Sequence, residues 1–382
     1  MTYLFAALVV SFLVTLVIIR VFLARERADG RARSMRAEWM RESGMYGLQR
    51  AGGIGVACGL LVSLLVRLFD DSPLALEVSR TGLLLFASAA PVFVAGLIED
   101  FTQRVGISVR LLASLVSAAV AGWLLGAWIT RIDVVWAAPL LAMPAVSVVF
   151  TCLLVAGLTN AFNIIDGFNG LAGGVANLIL VGIAYVAFKV NDTAILVAAL
   201  TAIGATLGFM LLNFPRGLIY LGDGGAYLLG FWIGVLLILL VGRNPEVSAW
   251  FPALLCSYPV CELLFSIYRR AIVQGTHPGL PDAAHLHHLI YKRLVRWLIG
   301  TDLPEHKTQR NALTAPYLWI ITSIGVAPAV VFWKATAALQ IGCALFAVAY
   351  IYGYTRIVTF RAPRWWVLRK RRDDQTGGGD GS

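Results

Sequence analysis

A polar stretch rich in amides lies between two long apolar segments of the chain, at residues 160–174. Asn160, Asn163 and Asp166 are three positions apart, a spacing that places them on one face of a helix. Unsatisfied amides and carboxylates are costly at membrane depth, so they are tolerated where they line a wet cavity, pair with one another or bind a ligand. The spacing therefore predicts a polar cavity that all three side chains face.

Four further polar clusters could contribute to the same chemistry. Asp223 begins an apolar segment and is followed by two glycines, whose backbone a ligand can approach closely. Carboxylate and amide oxygens suit Mg²⁺, which keeps several waters and binds through one or two carboxylates together with substrate phosphates. Arginines and histidines supply the charge and donors that a diphosphate requires, so these residue types predict phosphoryl transfer from a nucleotide. The clusters comprise Arg50, then Glu99 and Asp100 with Arg110, then Asn213 to Asp223, and finally His285, His287 and His288.

The elements that must position these residues are membrane helices. Of 382 residues, 59% are hydrophobic and only 14% are charged, a balance typical of a polytopic membrane protein rather than of a soluble domain. We predict an all-α fold with eleven transmembrane helices, because eleven apolar runs have near-spanning length. These runs are Thr2–Leu23, Gly52–Phe69, Thr81–Ile98, Leu111–Ile129, Pro139–Leu158, Leu171–Val190, Thr193–Leu212, Gly225–Val241, Trp250–Tyr268, Thr314–Trp333 and Thr336–Tyr354.

Basic residues are distributed unevenly between the two ends of these helices. If the N-terminus is periplasmic, the inner loops and the C-terminal tail hold twenty-four Lys and Arg residues, and the outer loops hold five. The positive-inside rule therefore predicts a periplasmic N-terminus and a cytoplasmic C-terminus in the bacterial inner membrane. The basic cytoplasmic tail at residues 356–382 is expected to bind anionic membrane lipids, and the net charge of +10 implies no nucleic-acid partner.

All the polar clusters fall on the cytoplasmic side of this topology. We predict one transmembrane domain, residues 1–355, with cytoplasmic active-site loops at 24–50, 99–110, 158–170, 213–224 and 269–312. A carrier is expected to show inverted repeats and polar groups near the midplane, and the sequence shows neither. The pattern favours an enzyme. A transporter of an anionic or lipid-linked solute and an inactive membrane scaffold are the alternatives.

The motifs closely resemble those of the polyprenyl-phosphate N-acetylhexosamine-1-phosphate transferases. They are Gly-Leu-Ile-Glu-Asp at residues 96–100, Asn-Ala-Phe-Asn-Ile-Ile-Asp-Gly-Phe-Asn-Gly-Leu-Ala-Gly-Gly at 160–174, Gly-Asp-Gly-Gly at 222–225 and His-Leu-His-His at 285–288. The resemblance spans most of the chain, and the asparagine-rich motif is the most specific. It implies transfer of an N-acetylhexosamine-1-phosphate from a UDP-sugar to undecaprenyl phosphate, which releases UMP and initiates a cell-envelope glycan.

The resemblance also implies a role for each matching residue. Asn163 and Asp223 would hold Mg²⁺, for which Mn²⁺ could substitute, and Asp166 would lie beside the metal or the substrate. Asp100 would position or assist the nucleophile, and we group it with Glu99 and Asp166 as catalytic. Substrate binding falls to Asn169 and Tyr220 at the uracil, to Arg110, His285, His287 and His288 at the diphosphate and sugar, and to Arg50, Asn160 and Asn213.

The chain departs from the family pattern at three places. Glu99 stands where the family has the first aspartate of its acidic pair, and the usual proline before Gly52 and Gly53 is absent. Ala283 follows Asp282, where many bacterial members have an arginine. Because this loop faces the sugar in the family, the identity of the N-acetylated sugar stays open. The prenyl length, a homodimer and the choice between direct attack and a covalent intermediate also stay open.

Several of these residues also have a purely structural interpretation. Asp100 could cap the inner loop or pair with a nearby arginine, and Asn160 could satisfy backbone groups at a helix break. The histidines could form an interfacial patch on Tyr291 or Trp297. Glu262, isolated in the ninth apolar run, is either a paired buried carboxylate or a cavity residue.

Overall fold

The computed structural model describes residues 2–28, 50–66, 73–275, 284–295 and 304–359, and every regular element in these ranges is helical. A 3-10 turn, Val135–Ala137, and a single α-helical turn, Ala138–Leu141, precede the helix that begins at Pro144, and π-helical turns, Arg269–Val273 and Tyr291–Val295, follow the helices that end at Tyr268 and Ile290. The main helices are α1 (Thr2–Ala28), α2 (Gly52–Val66), α3 (Pro73–Thr102), α4 (Ile107–Leu125), α5 (Pro144–Ile165), α6 (Leu171–Lys189), α7 (Thr193–Asn213), α8 (Gly222–Arg243), α9 (Phe251–Leu255), α10 (Ser257–Tyr268), α11 (Leu286–Ile290), α12 (Pro304–Val331) and α13 (Thr336–Val358).

Nine helices in the described ranges are long and apolar enough to cross a membrane, namely α1, α3 to α8, α12 and α13. The other two predicted spans are also helical, but α2 has 15 residues and the run Trp250–Tyr268 is divided at Cys256 into α9 and α10. The all-α polytopic fold is therefore confirmed, whereas the total of eleven spans and the orientation of the termini stay predictions. Parts of the predicted loops and tail, residues 29–49, 276–283, 296–303 and 360–382, lie outside the described residues.

Several predicted helix boundaries are wrong by four residues or more, among them the start of α3 at Pro73, the start of α12 at Pro304 and both ends of α4 and α5. Helix α4 ends at Leu125 because Gly126 has a φ of 66°, a left-handed conformation that commonly ends helices and that glycine adopts without strain. Helix α5 begins at Pro144, where a proline loses no hydrogen bond, and continues to Ile165. The first part of the predicted loop 158–170 is therefore helical, and Asn160 and Asn163 lie in the last two turns of α5.

Helix α8 forms the centre of the bundle. Of its most apolar stretch, 94% is buried, compared with 17% for α13 at the periphery. A Cβ on Gly53 of α2 would lie 2.4 Å from the backbone N of Gly225, and a Cβ on Gly96 of α3 would lie 2.6 Å from Cα of Gly224. Such close backbone contact requires small residues, as is common between membrane helices. The start of α2 and the end of α3 are thus held directly against the start of α8.

The opposite ends of the helices are joined by a separate polar network. Nη2 of Arg131 donates to the carbonyl oxygens of Val241, Asn244 and Val247, at 3.2, 3.3 and 2.5 Å. Nη1 of the same arginine pairs with Asp133 at 3.3 Å. The guanidinium thereby satisfies carbonyls at the end of α8, which have no partners within the helix. The residues predicted to do chemistry are gathered at the other end of the bundle.

Candidate active site

Asp100 lies in the last turn of α3 and accepts hydrogen bonds from the start of α8. Its Oδ1 accepts from the backbone N–H of Asp223 at 2.8 Å, and its Oδ2 accepts from the N–H of Gly224 at 2.9 Å. A carboxylate suits this place because the first N–H groups of a helix lack internal partners and the helix dipole favours negative charge there. Asp100 is buried with both oxygens engaged, so it fixes the position of Asp223.

Arg110 connects Asp223 to the acidic end of α3. Its Nη1 lies 2.7 Å from Oδ2 of Asp223 and 4.0 Å from Oε1 of Glu99. Oε2 of Glu99 accepts from the backbone N–H of Val105 at 2.8 Å, which holds the turn between α3 and α4. These charged groups are largely shielded from solvent, so they interact more strongly than exposed pairs. The structure therefore brings predicted site residues of α3, α4 and α8 into contact.

Asp166 immediately follows α5 and lies beside the same group of carboxylates. Its carboxylate accepts from the backbone N–H of Gly222. Desolvation, together with the negative charges of Asp223 and Asp100, raises the pKa of Asp166 from 3.8 to about 8. A bound cation would stabilise carboxylates that lie this close to one another. One turn before Asp166, the half-buried amide of Asn163 makes no hydrogen bond to the described residues.

The donors at this end of the bundle fit Mg²⁺. Within the part of the chain that the structure describes, no three His, Cys, Asp or Glu side chains form a complete metal cluster. Mg²⁺ requires no such cluster, because it is usually bound through one or two carboxylates, waters and substrate phosphates. Asp223 and Asn163 offer oxygen ligands of that kind, and the crowded carboxylates require positive charge. Zinc fits less well, because its usual ligands are cysteine and histidine.

Asn169 and Asn213, which the resemblance assigns to substrate binding, are buried between α6 and α7. Oδ1 of Asn213 accepts from the backbone N–H of Gly170 at 2.6 Å. Nδ2 of Asn169 donates to the carbonyl of Pro215 at 3.1 Å, and its backbone N–H donates to Oδ1 of Asn311 at 2.7 Å. Both amides therefore shape the turn that leads into α8. Oδ1 of Asn169 has no partner among the described residues, so one acceptor is left for a ligand or a water.

The contacts of Asn160, Arg50 and Tyr220 are of three kinds. Nδ2 of Asn160 donates to the carbonyl of Ala156 at 2.7 Å within the continuous helix α5, so no helix break lies at this residue. The positive charge of Arg50 opposes the rise in the pKa of Asp166. The carbonyl of Tyr220 accepts from the N–H of Gly52 at 3.0 Å, so the segments that carry Arg50 and Tyr220 pack together. The substrate roles of all three residues stay predictions.

The three histidines form a packed group beside the turn that follows α5. The rings of His285 and His287 are nearly parallel with centroids 5.4 Å apart, and those of His287 and His288 are 4.3 Å apart. Phe168 contacts His287 and His288 edge-on, and a Cβ on Gly167 would lie 3.2 Å from Nε2 of His287. Burial, with the neighbouring His288 and His285, lowers the pKa of His287 well below its ordinary value, so this ring is neutral at pH 7.

Phe168, Arg310 and Glu262 support the histidine group, although sequence reasoning did not assign them to the site. Phe168 packs between the histidines and Tyr291, with ring centroids 5.2 Å apart, and Arg310 lies over the Tyr291 ring. Glu262 is a paired carboxylate, one of its two predicted alternatives, because its Oε1 lies 3.0 Å from Nδ1 of His285. The isolated position of Glu262 in an apolar run is the feature of the sequence that indicates a buried carboxylate with a partner. Trp297, the other predicted stacking partner, lies outside the described residues.

Residues 82–241 match the family model for glycosyl transferase family 4. This range contains every predicted site residue from Glu99 to Asp223. Arg50 and the three histidines lie outside it. The match therefore covers the acidic group and the asparagine-rich motif but not the histidine group that packs beside them.

Three bacterial proteins illustrate the similarity. The chain is 36% identical over 139 residues, 36% of its length and 38% of the relative's, to the probable undecaprenyl-phosphate N-acetylglucosaminyl 1-phosphate transferase of Bacillus subtilis. It is 26% identical over 214 residues, 56% of its length and 62% of the relative's, to the undecaprenyl-phosphate alpha-N-acetylglucosaminyl 1-phosphate transferase of Thermotoga maritima. The protein of that name in Escherichia coli K12 is 30% identical over 138 residues, 35% of this chain and 37% of its own. The alignments thus span less than two thirds of these curated relatives.

Proposed function

We propose that this chain belongs to the polyprenyl-phosphate N-acetylhexosamine-1-phosphate transferases and transfers N-acetylhexosamine-1-phosphate from a UDP-sugar to undecaprenyl phosphate. The match of residues 82–241 to glycosyl transferase family 4 and the similarity to the three bacterial transferases support this proposal. The products would be UMP and a lipid-linked sugar diphosphate that initiates a cell-envelope glycan. UDP-N-acetylglucosamine is the first donor to test, because the relatives are named for transfer of that sugar phosphate.

The observation that carries the proposal is the meeting of Asp100, Asp223 and Arg110 beside Asp166 at one end of the bundle. A lipid phosphate and a nucleotide diphosphate are both anions, and carboxylates alone would repel them. Arg110 and a metal ion would supply the charge that lets the two substrates approach. A carrier is expected to hold its polar groups near the midplane instead, so the position of this group favours an enzyme.

The proposed exchange moves one phosphoryl group together with its sugar. An oxygen of the lipid phosphate forms a bond to the phosphorus that bears the sugar, and the bond from that phosphorus to the UMP oxygen breaks. A phosphate monoester has a second pKa of about 6, so the lipid phosphate is largely a dianion at neutral pH and needs little help from a base. The net exchange is the same if a carboxylate of the site accepts the sugar phosphate first.

The main contributions of the protein are then to supply positive charge and to align the two substrates. Mg²⁺, held by Asp223 and Asn163, would offset the repulsion between the two phosphates and favour their in-line arrangement. Arg110 is anchored on Asp223 at 2.7 Å and would donate to a phosphate oxygen from that place. Asp100 keeps the start of α8, and so Asp223, in position. The histidine group would reach the diphosphate or the sugar from the turn after α5.

An apolar groove of about 380 Å³ between α5, α8 and α10, whose lining extends to α9 and to residues 128–132 at the opposite end of the bundle, suits the prenyl chain of the proposed acceptor. Leu158, at the inner end of the groove, is five residues before Asn163, about 7.5 Å along a helix. A prenyl chain in the groove would therefore place its phosphate near the proposed metal ligands. The lining residues on the three helices include Gly157, Leu158, Gly234, Leu237, Val260 and Leu263.

Filling this groove is expected to weaken binding of the lipid acceptor selectively. An added Cβ on Gly157 would lie 3.9 Å from its nearest neighbour, so α5 has room for a side chain there. We expect Gly157→Trp to raise the KM for undecaprenyl phosphate about tenfold, equivalent to about 1.4 kcal/mol, because the ring occupies the space of the prenyl chain. Gly157→Ala, the matched control, should leave the KM for undecaprenyl phosphate and the KM for the UDP-sugar near those of the wild type. If Gly157→Trp raises both of these KM values equally, the groove is not the acceptor site.

The proposal places the enzyme in the bacterial inner membrane with its active site facing the cytoplasm. The segments that join the helices at this end of the bundle and the C-terminal tail carry most of the basic residues of the chain. Such a bias marks the cytoplasmic side of a membrane protein, which supports this orientation.

Release of UMP by the purified protein in detergent separates the proposed function from the alternatives. A detergent solution has no compartments, so a transporter forms no product there, and an inactive scaffold forms none under any condition. We expect UMP only when UDP-N-acetylglucosamine, or another UDP-N-acetylhexosamine, is present with undecaprenyl phosphate and Mg²⁺ or Mn²⁺. Excess EDTA should abolish the release. A protein that releases no UMP from any such donor would refute the enzyme proposal, and full activity in EDTA would refute the metal assignment.

A further inference from the structure

Glu262 belongs to an otherwise apolar helix, and its side-chain carboxylate is buried. Three groups lie within hydrogen-bond distance of it. Glu262 lies in α10 and is 2% exposed. Its Oε1 lies 3.0 Å from Nδ1 of His285 and accepts from the backbone N–H of Leu286 at 3.0 Å, and its Oε2 accepts from Oη of Tyr350 at 2.8 Å. A buried carboxylate is strongly destabilising unless such donors replace its lost hydration. Its contacts therefore point to a specific task.

Two of these contacts fix the start of the histidine helix, α11. Leu286 is the first residue of α11, and its N–H has no partner within that helix. His285 precedes it, and the ring of His285 stacks on that of His287. His287 in turn lies against Gly167, which follows Asp166. A continuous series of contacts thus leads from Glu262 to the turn beside the acidic group.

A second anchor holds the residue before His285. The carbonyl of Ala284 accepts from Nη1 of Arg269 at 2.7 Å and from Oη of Tyr354 at 2.9 Å. The backbone on both sides of His285 is therefore tied to α10 and α13 and to the π-helical turn after α10. The titratable and charged groups close to His285 are Glu262, Arg269, Tyr350, Tyr354, His287 and His288.

We propose that Glu262 is a positioning residue of the transferase, an inference that rests on the proposed function. It holds a proton on Nδ1 of His285 and fixes the histidine group against the turn after α5. The histidines can then contact the UDP-sugar in one orientation. An ionised carboxylate can only accept hydrogen bonds, so the Nδ1 that contacts it carries the hydrogen. Carboxylates that orient functional histidines in this way are common around metal and catalytic sites. Glu262 itself does not touch the substrates.

Glu262→Gln tests this role with little change of shape. Glutamine keeps an acceptor for His285 and Leu286 but lacks the negative charge. We expect kcat for UMP formation to fall about 10- to 100-fold, the usual range for residues that orient a functional histidine. The KM for undecaprenyl phosphate should change by less than about twofold, because the proposed groove for this lipid is unaltered. Tyr350→Phe, which removes only the donor at Oε2, is the matched control and should lower kcat less than about threefold, because Glu262 keeps its charge and its contacts with His285 and Leu286.

A spectroscopic measurement keeps the test independent of activity. The protein is labelled with ¹⁵N-histidine, and the resonance of Nδ1 of His285 is assigned as the one that is missing in His285→Asn. In the wild type, this nitrogen should carry a proton. Its resonance should shift in Glu262→Gln and stay near the wild-type position in Tyr350→Phe. An unprotonated Nδ1 in the wild type would overturn the proposal, and so would wild-type kcat in Glu262→Gln. If Nδ1 is protonated but the protein forms no UMP, the hydrogen bond from His285 to Glu262 is supported, and only the proposed transferase function is rejected.

Discussion

Asp223→Asn should lower kcat/KM for UMP formation by about 10³-fold or more, while the protein stays folded in detergent. The substitution removes a carboxylate that pairs with Arg110 at 2.7 Å and that is proposed to bind Mg²⁺ together with Asn163. A neutral amide is a weaker ligand for Mg²⁺ and leaves Arg110 without its anion, so both sources of positive charge are displaced. Initial rates of UMP formation over a range of Mg²⁺ concentrations, with size-exclusion profiles as a check on folding, measure the effect.

Glu246→Gln is the matched control for the loss of one carboxylate. Glu246 is exposed at the opposite end of the bundle, where its Oε2 accepts from Lys334 at 2.8 Å. Exposed pairs of this kind contribute at most about 1 kcal/mol to stability, so its rate should stay within about twofold of the wild type. Asp223→Asn with a wild-type rate at ordinary Mg²⁺ concentrations would show that the metal ligand has been misassigned.

Asp100→Asn is expected to lower the rate about 100-fold and to raise the Mg²⁺ concentration that gives half-maximal activity. The side-chain NH₂ of asparagine would face the N–H of Asp223 or Gly224, because both oxygens of Asp100 now accept from these groups. One N–H at the start of α8 then loses its acceptor, and Asp223 moves with it. If Asp100 acts by positioning Asp223, excess Mg²⁺ should restore much of the rate in this variant.

Glu99→Gln provides the comparison for Asp100→Asn in the adjacent position. Glu99 lies 4.0 Å from Arg110 and accepts from Val105, a bond that glutamine can also accept. Its rate should therefore fall less than about tenfold, since a well-shaped polar contact is worth about 1 kcal/mol. A rate in Asp100→Asn that stays low at every Mg²⁺ concentration would contradict the positioning role and favour direct assistance to the nucleophile.

Hydropathy located the membrane helices but not all of their ends. An apolar segment in lipid must satisfy its backbone hydrogen bonds internally, and helix forms most of each of the eleven predicted runs within the described residues. The ends depend on single residues and on packing. Gly126 stops α4 early and Pro144 starts α5 late. The break at Cys256 precedes Pro259, whose ring would clash with the carbonyl of Leu255 in a continuous helix. These local effects account for the shifted boundaries.

Residue types located the candidate site but not the task of each side chain. Asp100, Asp223 and Arg110 meet because the end of α3 and the starts of α4 and α8 lie together. Asn169 and Asn213 are buried and bind backbone groups, a role that an amide fills as readily as ligand binding. The distinction depends on tertiary contacts that sequence spacing does not contain.

Glu262 shows the same limit more sharply. Its partner Tyr350 is 88 residues away in the chain, and its partner His285 is 23 residues away. An isolated glutamate in an apolar run predicts only that some partner exists, because a buried carboxylate without one is too costly. Which residues supply the hydrogen bonds depends on how α10, α11 and α13 pack.

The most direct test of the proposed function asks which atoms leave the nucleotide. UDP-N-acetylglucosamine labelled with ³²P at the phosphorus next to the sugar is incubated with the purified protein, undecaprenyl phosphate and Mg²⁺, and the lipid and nucleotide fractions are separated. We expect the label to appear in the lipid fraction, together with unlabelled UMP in equal amount, and to stay in the donor when Asp223→Asn replaces the wild type. Label released as UDP would mean that the sugar moves without its phosphate, which would contradict the proposed reaction.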